Sequence, residues 1–257
     1  MATFLFDEII FGPVHSRRLG VSLGVNLLPT TSKVCSFDCI YCECGWTKSS
    51  DSKKLPSRVE VKEKMIERFE SMKANGDKLD VITFAGNGEP TLHPDFEGII
   101  NDTIELRDTY FAQARVAVLS NSSMLHKQSV VNALLKVDQN ILKLDSGFDS
   151  TLQLLNNPHK PTTVEQVVTQ LEQFKGNFIL QTLFVRGSYK GKPLDNTTVK
   201  EIEQWLSIVK MLMPKEAMIY TIARDTPVET LEKVPIDDLE AIANRVRALG
   251  IPVQVSG

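Results

Sequence analysis

Three cysteines, Cys35, Cys39 and Cys42, lie within eight residues of one another. Thiolates this close together in a sequence are suited to bind one metal centre, and they are the ligands that iron–sulfur clusters select. A 4Fe–4S cluster has four irons to ligate, so three cysteines leave one iron open. We therefore expect the loop that carries them to hold a 4Fe–4S cluster whose open iron is a reaction site.

A structural zinc site and a disulfide pair are the alternatives to an iron–sulfur cluster, and both stay open. Zinc in structural sites usually has four nitrogen or sulfur ligands, often supplied by two separated cysteine pairs. The only other cysteine is Cys44, two residues after Cys42, so the sequence has no second pair. Cys44 is close enough to lie near the metal centre, but a small apolar filler is a common role for a free cysteine. We do not assign it as a ligand.

The composition is that of an ordinary globular protein. With 257 residues, the chain is long enough for one α/β barrel or for two small domains. Hydrophobic residues make up 42% of the chain and charged residues 24%, which allows a sizeable core. The net charge of −3 lacks the basic excess that non-specific nucleic-acid binding normally shows, although it is compatible with a local basic patch.

The clustered cysteines also predict a cellular compartment. Such clustering is typical of a reducing environment, the cytoplasm, and differs from a disulfide scaffold. The first eight residues have no basic segment followed by a long apolar core, and no stretch approaches about 18 apolar residues. We therefore expect a cytoplasmic protein that is neither exported nor membrane-spanning.

A second stretch with chemical potential follows the apolar segment 79–84, which is predicted to be a strand. Residues 85–91, Ala-Gly-Asn-Gly-Glu-Pro-Thr, place Glu89 directly after Gly88. A carboxylate beside glycine at the C-terminal end of a barrel strand can approach a bound amine closely, because glycine permits close contact of the backbone. A plain tight turn is the alternative, since a lone glycine-rich loop is a weak signal.

Beyond the cysteine loop, strand-like and helix-like segments alternate, which is the pattern of β/α units. We predict an α/β fold, a partial (β/α)6 TIM-like barrel with six or seven strands. Residues 1–257 are predicted to form a single domain, with 1–28 as N-terminal extension and first strand, 29–46 as cluster-binding loop and 250–257 as closing strand. The predicted helices are 59–75, 96–110, 123–135, 163–175, 196–213 and 235–249, and the predicted strands are 21–28, 79–84, 115–119, 140–144, 177–185, 217–222 and 251–255.

Polar residues lie where predicted strands end. Ser120 and Asn121 follow one strand, and Lys143 and Asp145 bracket the end of the next. Active sites of barrels are built at this end of the strands. Ser, Asn and Asp are also common helix N-caps, so both roles stay open. Gln181 lies inside an apolar strand and is either a hydrogen-bonded core group or a contact to the barrel lumen.

Cationic side chains offer contacts for an anionic substrate. Arg17 and Arg18 precede the first predicted strand, and Arg186 begins a predicted basic loop, 186–192. A guanidinium can bind a phosphate or carboxylate through paired hydrogen bonds, and Lys143 adds an ammonium. The alternative is that these residues belong to exposed, solvated turns and loops, as Arg and Lys usually do.

The motif Cys35-x-x-x-Cys39-x-Tyr41-Cys42 resembles the signature of the radical S-adenosylmethionine (SAM) superfamily, in which an aromatic residue precedes the third cysteine. The resemblance implies that the open iron chelates the amino and carboxylate groups of SAM. It further implies that an electron from the cluster cleaves SAM to a 5′-deoxyadenosyl radical, which abstracts hydrogen from a substrate. In this arrangement Tyr41 is expected to pack on or near the adenine of SAM.

Other expected SAM contacts also come from this resemblance. The loop Gly86-Asn87-Gly88-Glu89 is similar to the family's Gly-Gly-Glu element with Asn87 inserted, and that element binds the SAM amino group. The resemblance therefore implies that Glu89 takes the ammonium. In the family, residues at strand ends contact the ribose and carboxylate of SAM. The resemblance therefore implies such contacts for Ser120, Asn121 and Asp145.

Three segments narrow the resemblance: 12–20, 86–91 and Lys143-Leu144-Asp145. They are similar to small radical SAM proteins related to the tRNA wyosine synthases, which modify a guanosine of phenylalanine tRNA and use a second cluster and a Schiff-base lysine. Only Cys44 is left for a second cluster in this chain, which argues against wyosine synthesis itself. The resemblance implies an unidentified substrate, with a nucleotide or tRNA base as one candidate. It also implies Lys143 as a candidate catalytic residue and an electron donor such as flavodoxin or ferredoxin.

Two other classes of function stay open. An activase that installs a glycyl radical on a partner enzyme would also carry a single cluster and would act on a protein. A non-catalytic metal-binding or RNA-binding module would hold metal without cleaving SAM. Pull-down of a large partner distinguishes the first class, and a SAM-cleavage assay distinguishes the second.

Overall fold

A curled sheet of eight strands is the central element of the protein, whose computed structural model describes residues 4–16, 19–47 and 54–257. A separate sheet has three strands. The strands are β1 (Ile10–Ser16), β2 (Gly20–Val25), β3 (Val81–Phe84), β4 (Arg115–Ser120), β5 (Gln139–Lys143), β6 (Ile179–Leu183), β7 (Val185–Tyr189), β8 (Lys192–Asp195), β9 (Glu216–Tyr220), β10 (Leu231–Lys233) and β11 (Val253–Ser256). The helices are α1 (Arg58–Asn75), α2 (Phe96–Tyr110), α3 (Gln128–Lys136), α4 (Asp149–Asn156), α5 (Val164–Glu172), α6 (Val199–Leu212) and α7 (Ile236–Arg247).

The strands of the main sheet have the order β1-β2-β3-β4-β5-β6-β9-β11. From β2 to β11 neighbouring strands are parallel, and β1 is antiparallel to β2. Strands β3 and β6 are buried along their whole length, as expected for parallel strands covered on both faces. Helices connect the successive parallel strands. The partial barrel predicted from the sequence is thus confirmed.

Local sequence signals set the ends of several helices. At the start of α1, Ser57 accepts a hydrogen bond from the backbone of Glu60, whose side chain accepts one from the backbone of Ser57. This capping box satisfies two backbone N–H groups that a helix start leaves without partners. Helix α2 spans Phe96–Tyr110, as predicted. Helix α3 begins at Gln128, later than predicted, because residues 123–126 form a turn.

Residues 186–192 were predicted to be a loop, and this prediction was wrong. Strands β7 and β8 form an antiparallel hairpin, and β10 pairs with the other edge of β7. Lys190 and Gly191 connect β7 to β8 with φ angles of 51° and 72°. Positive φ at both positions matches the two-residue turn that best suits the twist of a hairpin, and a glycine adopts it at little cost.

Two other elements differ from the sequence prediction. Helix α4 was not predicted, because its eight residues include only two buried leucines, too short a repeat to indicate a helix. The first predicted strand was 21–28, so β1 was not predicted either. Strand β1 runs through Gly12-Pro13, with an irregular register between Phe11 and Val14, and pairs with β2.

Side chains inside the barrel form an apolar layer below a more polar one. The apolar layer includes Val81, Ala117, Ile141, Ile179 and Met218, which pack together. Because side chains alternate along a strand, residues two positions further along point to the same side. That second set lines a cavity above the apolar layer and includes Leu119, Lys143, Gln181 and Tyr220. The apolar layer therefore closes the barrel beneath the cavity.

The helices cover the outer face of the sheet through one large apolar core. This core takes Met65 and Phe69 from α1 and Trp205 from α6. The ring of Trp205 lies edge-on to Phe184, which follows β6. In the described parts of the chain, no helix is both long enough and apolar enough to cross a membrane.

An ion pair between α1 and α2 leads to a prediction about acid stability. Asp102 accepts hydrogen bonds from Nε and Nη2 of Arg58 at 2.7 and 2.8 Å, and the bonds from Arg58 lower the pKa of Asp102. A carboxyl group with a lowered pKa stabilises the fold above its unfolded-state pKa, and this contribution is lost as the pH falls through the folded-state pKa. Asp102→Asn should therefore lower the melting temperature near neutral pH, and the difference from wild type should shrink in acid. Thermal unfolding followed by circular dichroism across this pH range measures both effects.

The matched control for this prediction is Glu67→Gln, which removes an exposed pair with Lys64 on α1. Exposed pairs contribute about 0–1 kcal/mol, so this variant should melt close to wild type throughout. A difference between Asp102→Asn and wild type that stayed constant down to strong acid would contradict the role assigned to the Asp102 carboxylate.

Candidate active site

One cavity of about 310 Å³ lies at the C-terminal edge of the parallel sheet. Residues at or just beyond the ends of β3, β4, β5, β6, β9 and β11 form part of its wall. All four cysteines of the chain also line it. The volume lies in the range of small-molecule sites, about 300–1,000 Å³. The cysteine loop and the strand ends therefore form one site, at the position where parallel barrels carry their active sites.

A short parallel bridge holds the cysteine loop against the end of β3. The backbone N–H of Val34 donates to the Asn87 carbonyl at 2.8 Å, and the N–H of Glu89 donates to the Val34 carbonyl at 3.1 Å. Gly88 permits this approach, because a Cβ atom there would lie 1.9 Å from the Val34 carbonyl oxygen. Cys35 directly follows Val34, so the bridge brings the first cysteine beside Glu89.

The other side of the cysteine loop packs on α4, which the sequence did not predict. The backbone N–H of Ile40 donates to the Leu155 carbonyl at 3.0 Å. The amide Nδ2 of Asn156 donates to Cys39 Sγ at 3.5 Å. Helix α4 thus supplies a backbone acceptor to Ile40 and a side-chain donor to Cys39, the second cysteine.

The cysteine thiols differ in their electrostatic surroundings. Burial raises the pKa of Cys35 to about 12, because a thiolate there is removed from water. A hydrogen bond from Cys44 outweighs burial at Cys42 and lowers the pKa of Cys42 to about 5. The same bond raises the pKa of Cys44. The contact between these two thiols therefore favours the thiolate form at Cys42 and the neutral form at Cys44.

Three of the cysteines lie together on the cavity wall. Within residues 4–16, 19–47 and 54–257, no three His, Cys, Asp or Glu side chains form a group that could hold a single metal ion. Cys35, Cys39 and Cys42 line the cavity wall, and the amides of Asn121 and Asn156 are directed at Cys35 and Cys39 at 3.5 Å. Three thiols therefore share one wall of the cavity, and two of them have amide N–H donors directed at their sulfurs.

Glu89 is a buried carboxylate on the cavity wall, with 2% of its surface exposed. Its Oε1 accepts hydrogen bonds from both the N–H and the hydroxyl of Thr91 and, at 2.9 Å, from the hydroxyl of Ser120. Its Oε2 accepts one at 2.6 Å from the N–H of Asn121. Burial raises the pKa of Glu89 more than these bonds lower it. With one described donor, Oε2 retains capacity to accept a hydrogen bond from a group in the cavity.

Ser120 and Asn121 both line the cavity and both support Glu89. The amide of Asn121 also donates to Ser36 Oγ at 2.9 Å and so connects the end of β4 to the cysteine loop. Neither residue caps a helix, since α3 begins only at Gln128. The N-cap alternative considered from the sequence is therefore wrong for this pair.

Asp145 lies beneath the cavity wall and holds Tyr41. Its Oδ2 accepts hydrogen bonds from the hydroxyl of Tyr41 and, at 2.6 Å, from Nδ2 of Asn156, and its Oδ1 accepts one at 2.9 Å from the N–H of Leu183. Asp145 is 1% exposed and is not among the residues that line the cavity. Burial and the charge of Asp145 raise the pKa of Tyr41 well above its usual value. The sequence predicted that Asp145 contacts SAM directly. In the structure, its carboxylate instead accepts a hydrogen bond from Tyr41.

Lys143 lies over the ring of Tyr41 on the cavity wall, with Nζ 4.8 Å from the ring centroid. Nζ donates to the Tyr41 hydroxyl at 2.6 Å and lies 4.0 Å from both Cys39 Sγ and Asp145 Oδ2. Burial lowers the pKa of Lys143, but the negative charges of Cys39 and Asp145 outweigh burial and raise the pKa above its usual value. Lys143 is therefore a fixed cation on the same wall as the cysteines.

The two central residues of the glycine-rich loop have different surroundings. Gly86 lines the cavity, and its carbonyl oxygen lies 3.5 Å from Cys44 Sγ. Asn87 is fully buried and bonds to the backbone of Phe6 and Pro29 through its side chain. It connects the N-terminal segment to the start of the cysteine loop and is not among the residues that line the cavity.

The predicted substrate-binding arginines do not gather at the cavity in the described residues. Arg186 donates through Nε to Thr197 Oγ1 at 2.8 Å and pairs through Nη2 with Asp238 at 2.8 Å, away from the cavity wall. Its position in β7 directs it to the connection with α6 and to α7. Arg17 and Arg18 lie outside the described residues.

Sequence reasoning missed several residues of the cavity wall. Lys33, two residues before Cys35, is 2% exposed, and a lysine this close to three cysteines was a recognisable signal. Glu43 and Arg224 line the cavity and form an ion pair at 2.6 Å, with 67% of the Arg224 side chain exposed. Gln181, for which a core role and a lumen role were both open, lines the cavity.

Comparisons with known proteins agree with the site geometry. Residues 30–187 match the family model of the radical SAM superfamily. The chain is 31% identical over 235 residues to a protein named GTPase Obg of Brachyspira hyodysenteriae, covering 90% of this chain and 32% of that protein. It is 32% identical over 248 residues to UPF0026 protein MJ1312 of Methanocaldococcus jannaschii, covering 93% of this chain and 72% of that protein. The chain thus spans about a third of the first relative's length.

A radical SAM methyltransferase from Sphaerobacter thermophilus has a similar fold, with a TM-score of 0.67. The match covers 91% of this chain and 65% of that chain at 12% identity, a level that supports the fold alone. The family match includes the three clustered cysteines, Glu89 and Lys143. The chain therefore belongs to the radical SAM superfamily, an enzyme family whose members bind a 4Fe–4S cluster and S-adenosylmethionine.

Proposed function

We propose that this chain binds one 4Fe–4S cluster through Cys35, Cys39 and Cys42, reductively cleaves SAM and thereby starts hydrogen abstraction from a substrate. The observation that carries the proposal is the meeting of the three thiols with Glu89 in one cavity at the ends of the parallel strands. Cys44 is left out of the ligand set, because it lies outside the Cys35-x-x-x-Cys39-x-x-Cys42 motif and its Sγ lies 3.5 Å from the Gly86 carbonyl oxygen. Three ligands leave the fourth position for SAM.

The cofactors would supply the chemistry, namely one-electron reduction and a 5′-deoxyadenosyl radical that abstracts hydrogen. The residues of the chain bind and orient them. Glu89 takes the ammonium of SAM through Oε2, since a buried carboxylate gains most from a cationic partner. Ser120 and Asn121 hold the carboxylate in place. The apolar layer beneath the cavity excludes water from below.

Tyr41 and Lys143 form the adjoining wall in this proposal. The Tyr41 ring contributes a flat surface next to the adenine, and Asp145 fixes its orientation through the hydroxyl group. Asp145 would therefore act through Tyr41 and not by direct contact with SAM. Lys143 is the candidate catalytic residue, because its ammonium is the cation held nearest to Cys39 in the described contacts.

A nucleotide or RNA base is the proposed substrate. Arg224 supports an anionic group at the cavity mouth, where its only described ion pair is with Glu43. Trp46, at the end of the cysteine loop, stacks with Tyr189 with ring centroids 6.3 Å apart, and Lys190 lies over the Tyr189 ring. Aromatic rings beside cations are the groups that bind unpaired bases and phosphates.

The remaining elements of the proposal follow from the cofactor. A cluster of this kind requires a one-electron donor of low potential, such as flavodoxin or ferredoxin. All four cysteines are free, which suits a reducing compartment, the cytoplasm. We treat residues 1–257 as one radical SAM domain, because β1 and β11 belong to the same sheet.

The first prediction concerns the ligand set. Protein purified and reconstituted without oxygen should contain close to four irons per chain, and SAM should change its electron paramagnetic resonance (EPR) spectrum. Cys39→Ala should lose the cluster and 5′-deoxyadenosine formation, since two thiols remain for one cluster. Cys44→Ala should retain both, because Cys44 lies outside the three-cysteine motif. Zinc in place of iron, or a cluster whose spectrum ignores SAM, would contradict the proposal and leave a metal-stabilised binding protein.

The second prediction concerns Glu89. Glu89→Gln keeps the shape and hydrogen-bonding capacity of the side chain but removes its negative charge. SAM should bind about tenfold to a hundredfold more weakly, since a hydrogen bond to a charged group contributes about 1.5–3 kcal/mol. The SAM concentration that changes the EPR spectrum measures the affinity. Glu105→Gln, on the exposed surface of α2, is the control and should bind SAM like wild type. Equal affinity in the two variants would rule out the assigned role.

The third prediction concerns Gly88. Gly88→Ala places a Cβ against the Val34 carbonyl and should displace the cysteine loop, so that iron content after reconstitution falls several-fold. Gly191→Ala is the control, because Gly191 also has a positive φ, 72°, but a Cβ there meets nothing within 4 Å. It should take up iron normally. Equal iron content in both variants would show that the Val34 bridge does not position the cysteines.

A further inference from the structure

Lys33 is a buried lysine of the cysteine loop that the proposed mechanism does not use. Only 1% of its side chain is exposed, and it lines the same cavity as the three thiols. A buried ammonium is unfavourable unless it is paired and hydrogen-bonded. Its place beside the cysteines therefore depends on the contacts that compensate for the lost water.

The ammonium of Lys33 connects distant parts of the cysteine loop. Nζ donates to the Gly45 carbonyl at 2.8 Å and to Asp38 Oδ1 at 3.2 Å. The same Asp38 oxygen accepts a hydrogen bond at 2.7 Å from the N–H of Thr47, and Oδ2 contacts His159 Nε2 at 2.9 Å. Lys33 and Asp38 thus link the beginning, the middle and the end of the loop through shared hydrogen bonds.

The charge of Lys33 is only partly compensated by its protein partners. An ammonium has three N–H donors, and the described contacts use two of them. Asp38 shares its negative charge with Thr47 and His159. Lys143, the other buried cation on the cavity wall, contacts Asp145 and the hydroxyl of Tyr41. Lys33 therefore leaves uncompensated positive charge on the cavity wall that the cysteines share.

We propose that Lys33 positions the cysteine loop and is a fixed positive charge that raises the reduction potential of the cluster. The inference rests on the proposed function. Reduction adds one electron from an external donor and makes the cluster more negative, so a nearby cation favours the reduced form. Lys33 reaches no ligand directly through a described contact and acts through the loop and through its field.

Two substitutions that change the local charge in opposite directions test the effect of Lys33 on the reduction potential of the cluster. Lys33→Met removes the positive charge and should lower the midpoint potential of the cluster. Asp38→Asn removes the negative charge that partly neutralises Lys33, so it should raise the potential. We expect each change to alter the equilibrium between oxidised and reduced cluster at least tenfold, about 59 mV for a one-electron couple. A redox titration with EPR detection of the reduced cluster measures the potential without relying on activity.

Two further variants separate positioning from charge. Lys33→Arg keeps the charge and hydrogen-bond donors, so it should recover more iron after reconstitution than Lys33→Met and should show a potential closer to wild type. Lys210→Met makes the same charge change on the exposed face of α6 and should leave both iron content and potential unchanged. If Lys33→Met retains too little cluster to titrate, Lys33→Gln, which also removes the charge but keeps an N–H donor, should show the same lowering of the potential.

Specific outcomes would overturn the inference. Lys33→Met with wild-type iron content and potential would remove both roles of Lys33. An unchanged or lower potential in Asp38→Asn would remove the electrostatic role. A wild-type protein without an iron–sulfur cluster would instead overturn the proposed function. A wild-type cluster that responds to SAM, together with unchanged potentials in the variants, would overturn only the role of Lys33.

Discussion

The backbone bridge between Val34 and Gly88 is the contact on which the site depends. It attaches the cysteine loop to the end of β3 and brings Cys35 beside Glu89, 54 positions later in the chain. Neither segment forms regular secondary structure at this point, so the bridge supplies hydrogen bonds that buried backbone groups require. A side chain at Gly88 would collide with the Val34 carbonyl, so the bridge requires glycine at this position.

Buried charges of opposite sign surround the cavity, and each has its own partners. Glu89 is held by Thr91, Ser120 and Asn121, whereas Lys33 is held by Asp38 and Gly45. Such groups are unfavourable in a protein interior unless hydrogen bonds compensate for lost water, so their networks also rigidify the wall. The result is a polar chamber with fixed charges, suited to orient a charged cofactor.

The alternation of side chains along each strand separates this cavity from the rest of the core. One inward layer is apolar and closes the barrel, and the next layer carries Lys143, Gln181 and Tyr220 into the cavity. Helix α4 and the β7–β8 hairpin add contacts outside the regular β/α repeat. The chain thus uses its repeating units for stability and its irregular segments for the site, the division expected of parallel barrels.

The sequence alone determined the fold class, most helices and strands, and the group of cysteines, because these follow from short-range periodicity, capping residues and close spacing. It also indicated that Glu89, Ser120 and Asn121 belong at strand ends. Only the tertiary structure decided which partners these residues have. Asp145 accepts a hydrogen bond from Tyr41, 104 positions away, and Arg186 forms an ion pair with Asp238, 52 positions away. Helix α4 was too short to be recognised, and Lys33 is significant only once the loop has folded around it. Contacts of this kind depend on how remote segments pack, which local sequence patterns do not encode.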